Sequence, residues 1–262
     1  MTGDVGESPA GGPVAVVLAK TAHPDDPGAP GCWFGGGATL PPDIDWPVMA
    51  FEGLEIPLHF LCQIDLAQVP PAGDLLPRQG RLFFFWEPFL SPSMSLTRGA
   101  RVIHAEGDLS GTPERRMPEA PEIPEAYFPD YREADPRGTV YRRWNMTFET
   151  FEDADLPADP ADPMLDQRRK DQIAAQDAMR RRLTRAIRDV PARSHIRATP
   201  VLHRMLGGRD LDFEPGDRVL LLTIGADADL DLRMAVDPVV FSIARDDLAA
   251  RDFSKITLSE RP

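Results

Sequence analysis

Apolar residues in this chain fall in short runs punctuated by proline and glycine, a pattern of strands and turns rather than of long helices. The runs predict strands over 14–18, 58–66, 80–86, 101–105, 218–225, 238–244 and 255–258, with short strands near 139–144. The strongest is Arg81-Leu82-Phe83-Phe84-Phe85-Trp86, apolar at consecutive positions, so both of its faces are expected to be covered. Between the first runs, 31–47 is rich in glycine and proline yet carries Trp33 and Trp46, which need burial; an ordered loop packed on a sheet fits both. One stretch has helical periodicity. From 164 to 190, Ala175, Met179, Leu183, Ala186 and Val190 form an apolar stripe, Asp162-Pro163 starts it and Pro191 ends it.

These elements give an α+β fold class: mainly antiparallel β-sheet with one long helix packed on it. Leu61–Asp65 followed by Leu82–Phe85 is echoed by Leu222–Gly225 followed by Val239–Ser242, so two related hairpin units, an internal duplication, are one reading. Residues 1–12 read as a disordered N-terminus and 13–262 as a single domain, with a proline-rich, acidic excursion near 107–163.

Composition narrows the function classes. Hydrophobic residues make up 42% of 262, enough for a packed core. The net charge of −13 opposes nucleic acid and anionic membrane, and no apolar run is long enough to span a bilayer. The first twelve residues lack the basic start and apolar stretch of a signal peptide. With only Cys32 and Cys62, a secreted disulfide scaffold is disfavoured, and a cytoplasmic protein is expected. The preference for arginine over lysine fits a GC-rich bacterial source.

In order along the chain stand Trp33-Phe34-Gly35-Gly36, Leu40-Pro41, Trp46-Pro47, Phe60-Leu61-Cys62-Gln63-Ile64-Asp65-Leu66 and Leu76-Pro77. They are followed by 80–85, His203-Arg204-Met205-Leu206-Gly207, Leu222-Thr223-Ile224 and Asp247-Leu248-Ala249-Ala250-Arg251-Asp252-Phe253. This series, spanning about 14–258, resembles the YwqG-like family of bacterial proteins of unknown function. The resemblance implies a sheet-dominated α+β fold and supplies no reaction. Relatives look similar to proteins encoded near secreted-toxin cassettes, which implies an immunity-type or other protein-binding role. Two segments depart from the family pattern. Met234-Ala235-Val236-Asp237 stands where members often carry W-G-D, and Thr223-Ile224-Gly225-Ala226-Asp227 where they often carry Q-I-D-S-D, so a site built there is altered.

Candidate chemistry is sparse. Asp227, Asp229 and Asp231 have the spacing that opens a calcium loop, but Leu232 and Pro238 replace its glycine and its bidentate glutamate, which favours a solvated acidic turn. Gly35-Gly36-Gly37 has no following Lys-Ser or Lys-Thr, so it reads as a tight turn beside Trp33 rather than a phosphate loop. The five histidines show no ligand spacing, and adjacent Ser194 and His195 are poorly placed as nucleophile and base. No catalytic, cofactor-binding or metal residue is therefore assigned. Gln63 and Asp65 share one strand face; they either cap the following turn or form a polar spot in a cleft. The cleft reading gathers Gly36, Trp46, Gln63, Asp65 and His203 as a ligand or partner site. The predicted helix carries a basic face including Arg180, Arg181 and Arg185, which is either solvated and screened within the chain or bound by an acidic protein, with nucleic-acid contact a third and weaker reading. The leading expectation is a non-enzymatic binding protein with another protein as partner; the alternative is an enzyme or small-ligand sensor using the cleft.

Overall fold

A computed structural model describes residues 14–71, 76–87, 96–122, 141–152, 202–205, 218–224, 227–230 and 239–260, together with eight separate positions between 167 and 182. The strands are β1 (Val14–Lys20), β2 (Trp33–Phe34), β3 (Val48–Phe51), β4 (Leu54–Pro57), β5 (His59–Asp65), β6 (Arg81–Trp86), β7 (Ala100–Ala105), β8 (Trp144–Glu152), β9 (Leu202–Met205), β10 (Arg218–Ile224), β11 (Val239–Ala244) and β12 (Thr257–Glu260). Ten of them form one sheet in the order β12-β11-β10-β9-β1-β8-β2-β5-β6-β7, and β3 with β4 makes a separate hairpin. Neighbours pair antiparallel throughout.

Bulges at matching places mark the two hairpins of the sequence echo. Leu61 is the extra residue between Phe60 and Cys62, which face Phe85 and Phe84; Leu221 is the extra residue between Leu220 and Leu222, which face Ser242 and Phe241. Each bulge puts two successive side chains on one face, so Leu61 with Cys62, and Leu221 with Leu222, all enter the same core. The sheet order has the same plan from either end: edge, hairpin partner, bulged strand, short strand, and a long strand at the centre, where β1 pairs with β8.

The large sheet bends so that its two wings share one interior. Phe84 of β6 meets Phe241 of β11 edge-on, with ring centroids 5.4 Å apart, although seven places separate those strands' positions in the sheet. β7 lies against the 3-10 turn Phe253–Lys255, and β12 against Leu96–Gly99, so the two edges run close to each other. A second core covers the outer face of β5 and β6. There Phe60, Phe83 and Phe85 pack with Leu40, Trp46 and the β3–β4 hairpin, whose turn puts Glu52 and Gly53 at positive φ (48° and 81°). This hairpin lies in a stretch whose sequence predicts no strand. Its first strand alternates exposed and buried over only four residues, and its second does not alternate.

The expected α+β class with a long helix packed on the sheet is corrected: the fold is all-β. The only α-helix described along its length is α1 (Arg245–Ala249). Within 164–190 the described positions, among them Gln167, Lys170, Ala174 and Arg181, have helical backbone, and all but the half-buried Asp177 are exposed. Both faces of β5 and β6 are instead closed by other strands and by the Trp-bearing loop. A helical period in sequence reports amphipathicity, not what lies against the sheet. Residues 1–12, the stripe residues Ala175, Met179, Leu183, Ala186 and Val190, and most of the acidic excursion lie outside the described residues.

Candidate functional site

Beyond the bulge, alternation sends Ile64 into the inner core and Gln63 and Asp65 to the outer face of β5. Register places Arg81, the first residue of β6, directly opposite Asp65, a cross-strand pair of opposite charge. Arg81 Nη2 donates to Asp65 Oδ2 (3.1 Å) and Nη1 to Thr39 Oγ1 (2.5 Å). Gln63 joins the cluster: its Oε1 accepts from the Thr39 N–H (2.9 Å), and its Nε2 donates to the Gly31 carbonyl (3.1 Å). Gly31 has φ of 72°, and a Cβ there would stand 2.6 Å from Arg81 Nη2, so glycine makes room for the guanidinium. Asp65 Oδ1 also accepts from the Ala67 N–H (3.0 Å), capping the turn after β5. Arg81 is 5% exposed, and its buried Nε–H has no hydrogen-bond partner.

The cluster opens onto a cleft of about 380 Å³ lined by Asp65, Ala67, Arg81, Asp108 and Ser110. A second cleft of about 530 Å³, lined by Arg78, Glu106 and Arg251 among others, shares Gln79 and Gly107 with the first. Together they form a groove along the region where the two sheet edges approach. Arg251 Nη1 crosses it to Glu106 Oε1 (2.8 Å), and Arg251 has φ of 57°, a backbone state uncommon for a side chain of this size. Asp108 is exposed. Hydrogen bonds from Ser110, first from its backbone N–H, hold the Asp108 carboxyl below the ordinary carboxylate range, and the field of Arg81 adds to this.

The remaining sequence candidates lie elsewhere. Trp46 is buried in the second core, its Nε1–H on the Leu58 carbonyl (2.9 Å) and its ring edge-on to Phe85. Gly36 has φ of 70°, and its N–H meets the Tyr141 carbonyl (2.6 Å), tying the loop to the chain leading into β8. His203 lies on β9 opposite Leu18, with β1, β8 and β2 between it and β5. Of the five, only Asp65 therefore lines the cleft, with Gln63 buried behind it in the Thr39–Arg81 network. Arg180 and Arg185 lie outside the described residues; Arg181 is exposed, and its neighbour Arg182 pairs with Glu149 on β8.

Two buried clusters carry charge that the sequence reading missed. Lys20, at the end of β1, donates from Nζ to Asp227 Oδ1 (2.5 Å) and Asp229 Oδ2 (2.6 Å), and lies over the Trp144 ring (5.4 Å to its centroid). The expected solvated acidic turn is thereby corrected, since Asp227 is fully buried and a lysine ammonium fills the place a cation would take. In the other cluster, His59 Nε2 approaches Glu87 Oε2 (3.5 Å), and the His59 ring lies 5.5 Å from that of Tyr141. Burial, with the Glu87 charge second, pushes the Tyr141 phenol well above its usual value, and its hydroxyl has no hydrogen-bond partner. All three residues are buried, so the cluster is closed to a substrate in this state. Burial pushes the Cys32 thiol up to about 12 and the Cys62 thiol well above its usual value, so neither is a ready nucleophile. Arg81 could have been found by pairing Asp65 across the expected hairpin. Lys20 had only a weak signal, a lone lysine closing an apolar strand.

No described helix is long and apolar enough to cross a membrane. Among curated proteins, none matches the chain. A family model described as "Domain of unknown function (DUF1963)" matches residues 33–259, from β2 to β12.

Proposed function

Since the chain belongs to the DUF1963 family of domains of unknown function, we propose that it is a non-enzymatic binding protein of the cytoplasm whose ligand lies in the groove shared by the two clefts. The observation that carries this reading is the preorganised charge along that groove. Arg81 is held by Asp65 and Thr39, and Arg251 by Glu106, before any ligand arrives. The high thiol pKa values and the closed His59–Glu87–Tyr141 cluster favour binding over catalysis. Kinship with the YwqG-like proteins, and with it an immunity-type protein partner, belongs to the same proposal: a partner's polar segment is a second way to fill the groove.

Ala67 is exposed on the wall of the first cleft, so Ala67→Trp fills the groove without entering the core. Wild-type and Ala67→Trp proteins, equilibrated with the small-molecule and protein fractions of a cell extract, are compared by native mass spectrometry. The wild type is expected to retain a stoichiometric species that Ala67→Trp does not. Identical spectra for the two proteins would discard the reading.

A further inference from the structure

The first cleft presents an unusual pairing of groups. Its wall is a guanidinium that is almost wholly buried and has an N–H without a partner. Its rim is an exposed carboxylate, Asp108, held in its ionised form. Leaving a buried donor unpaired is costly, which makes Arg81 a group suited to an added acceptor. With Asp65 and Asp108 against Arg81, the described lining of the cleft carries one net negative charge, inside a chain of net charge −13. A phosphate-rich polyanion would be repelled. A simple cation would satisfy the carboxylates and leave the Arg81 Nε–H without an acceptor. A sugar lacks its usual platform, since among the described residues no aromatic side chain lines either cleft. A neutral molecule carrying both charges answers every one of these conditions.

We propose that this cleft takes a small zwitterion, a free amino acid or a short peptide. Its carboxylate accepts hydrogen bonds from the Arg81 guanidinium, and its ammonium donates to Asp108. Asp65, already engaged by Arg81 and by the Ala67 N–H, keeps the guanidinium aimed. The volume of about 380 Å³ lies within the size range of small-molecule sites. This inference rests on the binding role proposed for the groove and names its ligand class.

The test is calorimetric titration of the full chain with glycine, β-alanine, 4-aminobutyrate and glycylglycine, with acetate and methylammonium as the two halves. The first three form a ruler for the separation of the two charges, and glycylglycine separates a peptide source from a free amino acid. At least one zwitterion is expected to bind saturably, about tenfold or more tighter than either half. Asp108→Asn, a surface change that leaves the fold intact, is expected to weaken that zwitterion by about fivefold and leave acetate unaffected. Arg81→Lys, which keeps the charge but loses the planar fork, is expected to weaken the zwitterion and acetate alike. If Arg81→Lys fails to fold by circular dichroism, Asp108→Asn decides alone. Zwitterions that bind no better than acetate or methylammonium, or that ignore Asp108→Asn, would overturn the proposal. If that happens while the extract species lost in Ala67→Trp persists, only the ligand class falls and the binding role stands.

Discussion

In the half of the sheet built on β5 and β6, the strand beyond the bulge carries Gln63 and then Asp65 on its outer face. In the half built on β10 and β11, the same count from the bulge reaches Thr223 and then Gly225, and the residue before β11 is Pro238 where Arg81 begins β6. One hairpin end thus bears an ion pair that opens on a cleft; the other, by sequence, has no charge at those positions. Charge reappears two residues later in the second half, at Asp227, where Lys20, itself over the Trp144 ring, pairs with it. The inner faces hardly differ: Leu61 and Leu221, Cys62 and Leu222, Phe84 and Phe241 all serve one core. The backbone plan and inner face are therefore the same in both halves. A few outer-face side chains decide whether a hairpin end opens on a cleft or is sealed.

The sharpest way to break this comparison is at the seal. Lys20→Met removes the buried ammonium from Asp227 and Asp229 and is expected to cost about 3–5 kcal/mol, measured by urea denaturation. Adding Asp227→Asn should recover part of the loss. A cost under about 1 kcal/mol would mean that the cluster is solvated and that the contrast between the halves is unfounded. Next in size is Gln63→Thr, which brings the second half's residue into the first. It leaves the Thr39 N–H and Gly31 carbonyl without their amide and should cost about 1–3 kcal/mol in the same assay. An unchanged midpoint would show that the outer-face network contributes nothing.

The thiols test whether the inner faces are equivalent. Cys62 stands where the other half has Leu222, so Cys62 and Cys32 should both resist a disulfide reagent at pH 8 in the folded protein and react once it is unfolded. The folded pKa of Cys32 is raised, so its stabilising effect is complete below its ordinary 9.0 and is lost as pH rises toward about 12. Rapid labelling of the native protein would refute the packing. The smallest effects lie on the turns at the sheet edges. Hydrogen bonds from Ser254 and Lys255 lower the Asp252 pKa, so its contribution is present above the ordinary 3.8 and is lost as pH falls through the depressed value. Lys255→Ala should raise the Asp252 pKa toward 3.8 in an NMR titration. Ser110→Ala should move Asp108 less, because the backbone N–H of residue 110 remains the larger cause.

Legibility followed locality. The strands were readable because aromatic and β-branched runs bounded by Pro and Gly are a local signal, and six of the seven main runs lie on β1, β5, β6, β7, β10 and β11. Gln63 and Asp65 stood out because polar residues within an apolar strand demand partners. The β3–β4 hairpin was missed because its four-residue strands are too short to show a period. The helix was overread because periodicity says which side of a segment is apolar and not whether the sheet is open to receive it.

The order of residues alone determined where chain segments extend, which of them are buried on both sides, and that the hairpin ends differ in charge; these follow from propensity, alternation and composition. Tertiary structure alone decided that Lys20 meets Asp227 across 207 positions of sequence, that Arg81 meets Thr39, and that His203 stands apart from the cleft. Hydrogen bonds and buried ion pairs act only over a few ångströms. Their partners depend on how distant strands are ordered in the sheet, and no local pattern records that order.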